Sequence, residues 1–280
     1  MAQETPTPGA EQPPLSGPVA PGWPAPRLRG TRRHVLLAPA FGALLLIGWW
    51  LLAESGRYAP FIVPSPESVA ARWWRLVEDG SLLRHTLVTL REVLSGLVIG
   101  VAAAFSLGYL IAKSRIAAYA LTPYLVALQA VPIVAIAPLL IIWFGAGIAS
   151  KVIICALLVF FPMLVNTVLG VRNISPDLRD LMRSLEATPL QTFWHLEMPA
   201  ALPILLGGLK VSATLSVIGA VVGEFVSASA GLGYLINFGR GTYDTPLVIA
   251  AVFTLTALAL LLYGVAAWLE SVLLDWQDAA

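Results

Sequence analysis

VIICALLVFFPMLVNTVLGV (152–171), RNISPDLRDLMRSLEATPLQTFWHLEM (172–198) and PAALPILLGGLKVSATLSVIGAVVG (199–223) follow one another without a gap: an apolar run, a charged island and a second apolar run. About 20 helical residues cross a bilayer core of roughly 30 Å, so each flank is long enough to span. The island between them is amphipathic rather than featureless. Ser175-Pro176 reads as a helix cap followed by proline at the first helical position. Leu178, Leu181, Met182 and Leu185 then recur at the spacing of one helix face. Thr188-Pro189-Leu190-Gln191 starts a second helix, with Gln191 placed to close a capping box on Thr188. Leu190, Phe193 and Trp194 give that helix an apolar side. Both stripes are too short to span and need something to pack against. From pattern alone, that is either the protein's own membrane-flanking face or a docked soluble partner.

The same alternation extends along the chain. Uncharged runs cover Val35–Ala53, Val93–Ala112, Ile116–Ala149, Val152–Val171, roughly 199–223 with Lys210 inside it, and 245–269. The fold class is therefore all-α: a polytopic membrane protein with about six transmembrane helices. Composition agrees, with 58% hydrophobic and 12% charged residues, against about 25% charged in a soluble domain. Ile116–Ala149 exceeds one straight helix, and Pro123, Pro132 and Pro138 should kink or break it. Gln129, beside Pro132, is placed to satisfy a freed backbone group or to line a cavity.

Residues 1–34 hold eight of the 21 prolines and read as a disordered tail ending in Arg27, Arg29, Arg32 and Arg33. Residues 35–280 form the membrane domain, with the loop 174–198 on the same side as the tail. Lys113, Arg115, Arg172, Arg179 and Arg183 join those arginines on that side. The surplus places both termini and the loop in the cytoplasm. On the opposite side, Ser65-Pro66 starts an amphipathic helix carrying Val69, Trp73, Trp74 and Leu76. It either lies in the membrane interface or packs on the bundle.

Several functions are excluded or left without support. A net charge of +1 gives no reason to expect a nucleic-acid partner. His34, His85 and His195 have no metal-ligand spacing, and no cofactor site is legible. The lysines, Lys113, Lys151 and Lys210, follow Ala112, Ser150 and Leu209, so no phosphate-binding loop exists. The chain is not expected to be an enzyme, and ATP hydrolysis would need a separate subunit. Cys155 reads as a packing residue. Gly96-x-x-x-Gly100 and Gly219-x-x-x-Gly223 allow close helix approach, within the chain more readily than across a dimer seam. Lys210 is expected to snorkel to the cytoplasmic surface. Glu224 closes one apolar run and precedes the uncharged, Gly- and Ser-rich segment 225–239. That segment is either a re-entrant element or an outer loop. Glu224, with Gln129, Gly231 and Gly233, is expected to line or gate a pathway, because an ionisable group at membrane depth is costly.

The island also carries a resemblance. Permeases of binding-protein-dependent ABC importers share a cytoplasmic motif: EAA, three residues, Gly, nine residues, Ile, one residue, Leu-Pro. Here Asp180 takes the acidic position, and Leu196, Met198 and Pro199 take the Ile, Leu and Pro positions. Ile62-Val63-Pro64-Ser65-Pro66, Gly207-Gly208-Leu209-Lys210, Gly219–Phe225 and Gly231-Leu232-Gly233 resemble the branch importing sulfonates, taurine, nitrate and vitamin precursors. Leu181-Met182 replaces the two alanines, and Glu186 replaces the glycine that turns between the helices. The resemblance implies a type I permease fold. It implies a loop docking onto two cytoplasmic ATP-binding subunits through Asp180, Leu181, Met182, Leu185, Glu186, Ala187, Phe193, Trp194 and Pro199. It further implies an extracytoplasmic solute-binding protein, a permease homodimer in the cytoplasmic membrane, and a solute such as riboflavin or the thiamine pyrimidine, with sulfonates or taurine as runner-up.

Overall fold

The computed structural model describes residues 33–275, and the expected tail 1–34 lies almost wholly outside them. The chain divides at Gly48/Trp49 into two units. Among the described residues the first comprises only the leading part of helix α1 (Arg33–Glu54). Everything below concerns the second unit.

Its helices are α2 (Pro66–Glu78), α3 (Ser81–Lys113), α4 (Arg115–Gln129), α5 (Ile133–Phe144), α6 (Ile148–Arg172), α7 (Pro176–Ser184), α8 (Pro189–Thr192), α9 (Met198–Val226), α10 (Leu232–Gly241) and α11 (Thr245–Leu273). α3, α6, α9 and α11 are long and apolar enough to cross a bilayer. The pair α4–α5, bent by 96°, has the length and composition of a broken fifth span or of a re-entrant loop. The bend falls where the sequence places a break: Pro132 has no N–H to continue the ladder of α4 and starts α5 as its cap. Pro123 and Pro138 stay inside their helices.

α6 packs between α3 and α9, and α11 closes on α9 and α10. Both small-residue motifs serve this packing within the chain. A Cβ on Gly219 would come within 2.7 Å of Cys155 Cα, and one on Gly96 would overlap the Cys155 side chain. α3 and α9 thus approach opposite sides of one fully buried residue of α6.

α3 starts twelve residues before the apolar run at Val93 and takes in Arg84, His85, Arg91 and Glu92. Lys151, which separates two uncharged runs in the sequence, is buried inside α6. Charge ends an apolar run in a sequence but not a helix whose charges are paired. α2 buries Val69 and Leu76 and leaves Trp74 exposed. Arg72 fixes it to Asp244, the N-cap of α11, at 2.9 Å. The segment 225–239 is a short turn followed by helix α10, packed on α9, α11 and α3. Lys210 pairs with Glu270 in the last turns of α11, and both side chains are partly exposed.

Candidate functional site

Two clusters stand out at opposite ends of the α3–α6–α9 stack. The first is the loop between α6 and α9. Ser175 accepts a hydrogen bond from the Asp177 N–H at 3.3 Å and Pro176 opens α7, as the sequence requires. The capping box is complete: the Gln191 N–H donates to Thr188 Oγ1 at 3.3 Å, and the Thr188 N–H donates to Gln191 Oε1 at 2.8 Å. Between the helices, Glu186 turns the chain at φ +53°. A side chain there carries the left-handed penalty that glycine escapes. Glu186, at the position of the motif glycine, thus takes a left-handed conformation that glycine would adopt without penalty.

This loop shows an apolar face outward. Leu181, Leu185, Leu190 and Trp194 are each more than half exposed, between 53% and 68%. Asp180 is exposed beside them and pairs with Arg183 at 2.9 Å. Met182, Ala187, Phe193 and Pro199 are partly covered.

The loop's roots, by contrast, are fastened. Glu197, 2% exposed, accepts from Tyr109 Oη and Lys113 Nζ of α3, both at 2.7 Å. Phe193 meets the Tyr109 ring edge-on at 5.3 Å. Arg179 donates to the Val171 carbonyl at 2.6 Å, and Arg172 to the Ile111 carbonyl at 3.1 Å. The backbone between α8 and α9 runs on through a π-helical turn, Phe193–Glu197, so that α8 leads into α9 without a hinge. The exposed ridge is thus joined to α3, α6 and α9.

The second cluster lies at the other end of the stack. Glu224 is 1% exposed. It accepts from Thr89 Oγ1 at 2.6 Å and from the Gly233 N–H. Thr89 in turn accepts from the Leu232 N–H at 2.8 Å, and His85 Nδ1 accepts from the Gly231 N–H at 2.9 Å. Lys151 approaches Glu92 at 3.2 Å, with both side chains almost fully buried. Gly231 holds φ +117°, and a Cβ there would overlap the Glu224 carboxylate. A Cβ on Gly233 would lie 2.8 Å from Glu224 Oε2. Two backbone N–H groups of the α9–α10 turn are thereby pinned to α3, and a third to the end of α9.

Glu224, Gly231 and Gly233 thus come together as one unit, whereas Gln129 lines a separate groove with Thr122 and Arg172. Sequence reading missed Thr89, Glu92, Lys151, Tyr109, Lys113 and Glu197. Their only signal was a charged or hydroxyl residue at the margin of an apolar run. Among the described residues, no group of His, Cys, Asp and Glu side chains is arranged to hold a metal ion.

Residues 96–273 match the family of binding-protein-dependent transport system inner membrane components. The chain belongs to this family. A riboflavin transport system permease protein of Chloroflexus aurantiacus is 43% identical to it over 256 residues, covering 90% of this chain and 96% of the relative. A formylaminopyrimidine transport permease protein of Halalkalibacterium halodurans is 34% identical over 246 residues, covering 88% and 98%. The fold also matches a chain of the inward-facing MetNI methionine ABC transporter, with a TM-score of 0.60 at 17% identity, over 67% of this chain and 93% of that one. The match takes in the loop 174–198 and the Glu224–Gly233 unit of this inner-membrane permease, and starts after His85, Thr89 and Glu92.

Proposed function

We propose that this ABC importer permease carries riboflavin or a related heteroaromatic vitamin precursor inward, paired with a second copy of itself, and driven by two ATPase subunits bound beneath the loop 174–198. The observation that carries the coupling is the contrast within that loop. Its outer ridge, Leu181, Leu185, Leu190 and Trp194, is more than half exposed among the described residues, while its roots are tied to α3 and α6 by Glu197, Arg179 and Arg172. An exposed apolar ridge on a rigid base suits helix-in-groove docking, and a rigid base transmits a push as a two-state movement. A binding protein delivers solute from outside. Lys113 at the end of α3, Arg115 at the start of α4, Arg172 at the end of α6, and Arg179 and Arg183 of α7 lie on the side of the loop and support cytoplasmic termini. Glu224 serves the pathway as a latch, holding the outer ends of α3, α9 and α10 together while the inner ends move.

The solute assignment rests on the riboflavin and formylaminopyrimidine relatives, which share more of this sequence than an aliphatic sulfonates permease of Escherichia coli, 33% identical over 244 residues. The test of the coupling is co-purification with a candidate ATPase, wild type against Asp180→Lys/Leu185→Asp. Both substituted side chains are exposed, so the variant folds. Wild type should retain the ATPase and the variant should lose it. Equal retention, or no retention by either, would sink this assignment.

A further inference from the structure

A cleft of about 680 Å³ opens where α3 ends, α4 begins and α6 ends, lined by Arg115, Arg172, Tyr119 and Thr122 among others. No carboxylate lines it. Asp180, which borders the adjoining recess, is already held by Arg183. The Arg115 guanidinium has no ion-pair or hydrogen-bond partner among the described residues. Arg115 also opens α4, a 15-residue helix with no acidic side chain in its first turn. A cation at a helix N-terminus opposes the helix dipole, and an anion there relieves the conflict.

The cleft continues directly, through the shared residues Thr122 and Arg172, into a groove of about 240 Å³. That groove is walled by Leu125, Val126, Phe161, Leu164, Val165 and Val168. α4, which forms one wall of both, buries none of its side chains. The two parts differ in chemistry along the membrane normal. The arginines stand at the ends of spans, level with the loop, and the apolar walls lie within the spans. A small anion would leave the groove empty. An uncharged lipid would leave Arg115 unpaired.

From this juxtaposition we infer that the α3–α4–α6 cleft is a site for one anionic phospholipid of the cytoplasmic leaflet. Its phosphate lies between Arg115 and Arg172, and an acyl chain runs along Val126 and Val165 toward the membrane centre. Guanidinium–phosphate hydrogen bonds supply the specificity, and burial of the chain supplies much of the affinity.

The full-length permease, reconstituted in nanodiscs of equal phosphatidylglycerol and phosphatidylcholine, is released and weighed by native mass spectrometry. Wild type should retain phosphatidylglycerol over phosphatidylcholine. Arg115→Gln removes no hydrogen bond or ion pair among the described residues and should lower that retention about fivefold, the effect of one basic residue at an anionic surface. Val165→Trp fills the apolar groove without changing charge and should lower it as well. Equal retention of the two lipids, or no effect of either variant, overturns the site. Displacement by inorganic phosphate alone reassigns it to a free anion. Displacement by riboflavin reassigns it to the transport path. Loss of the lipid on dimerisation reassigns the groove to the second copy. Each of these three displacements overturns the lipid assignment while leaving the importer role intact.

Discussion

Lys113 Nζ lies 2.7 Å from Glu197 Oε1, joining the last turn of α3 to the root of α9 beneath the loop 174–198. Glu197 is buried and Lys113 is partly open to solvent, so the two ends of the pair respond differently to loss of the other. Lys113 without Glu197 can be rehydrated. Glu197 without Lys113 keeps a buried charge with only the Tyr109 hydroxyl to hold it.

Lys113→Met should therefore be worse than Glu197→Gln, which keeps an acceptor for Tyr109. We expect a loss of about 1–3 kcal/mol for Lys113→Met and less for Glu197→Gln. Thermal unfolding of the purified permease in detergent reads the order. A reversed order would show that Lys113, not Glu197, depends on the pair.

The buried pair Lys151–Glu92 makes a sharper case, since both side chains are within the bundle. Removing one partner strands the other, whereas removing both does not. Lys151→Met should destabilise by about 3–5 kcal/mol, and Lys151→Met/Glu92→Leu should recover most of that loss. A double variant as unstable as the single one would mean that Lys151 answers to Glu224 rather than to Glu92.

Thr89 both donates to Glu224 and accepts from the Leu232 N–H. Thr89→Val preserves shape and removes both bonds, at a cost of about 2–3 kcal/mol. The freed α9–α10 turn, around residues 227–231, should become open to protease added from the outer side. An unchanged cleavage rate would leave Thr89 no part in the latch.

Glu186 is exposed at φ +53°, and its side chain makes no hydrogen bond or ion pair among the described residues. Glu186→Gly should raise the permease's stability by about 1 kcal/mol, the left-handed penalty less glycine's extra chain entropy. Calorimetry of the two forms decides it. A lower melting temperature for the variant would show that the Glu186 side chain contributes more than its backbone strain costs.

Much of the loop could be read in the chain before any fold was known. Its determinants are local: caps, a proline at the first helical position, and an apolar stripe act over three or four residues, and Ser175, Thr188 and Gln191 form the bonds their spacing requires. The break at Pro132 is local too, because a missing N–H breaks the ladder wherever it falls. The polar cluster is different. Glu224, Thr89, Glu92 and Lys151 are scattered over 136 positions on three helices, and in sequence each looks like the edge of a span. Only packing, with Gly219 and Gly96 drawing α9 and α3 onto Cys155, makes them neighbours. Composition, periodicity and capping by themselves determined that this chain is a bundle of membrane helices with a structured loop between two of them. The tertiary structure alone decided which charges are paired inside that bundle and which, like Arg115, have no partner among the described residues, because burial and pairing depend on distances between helices that no single segment encodes.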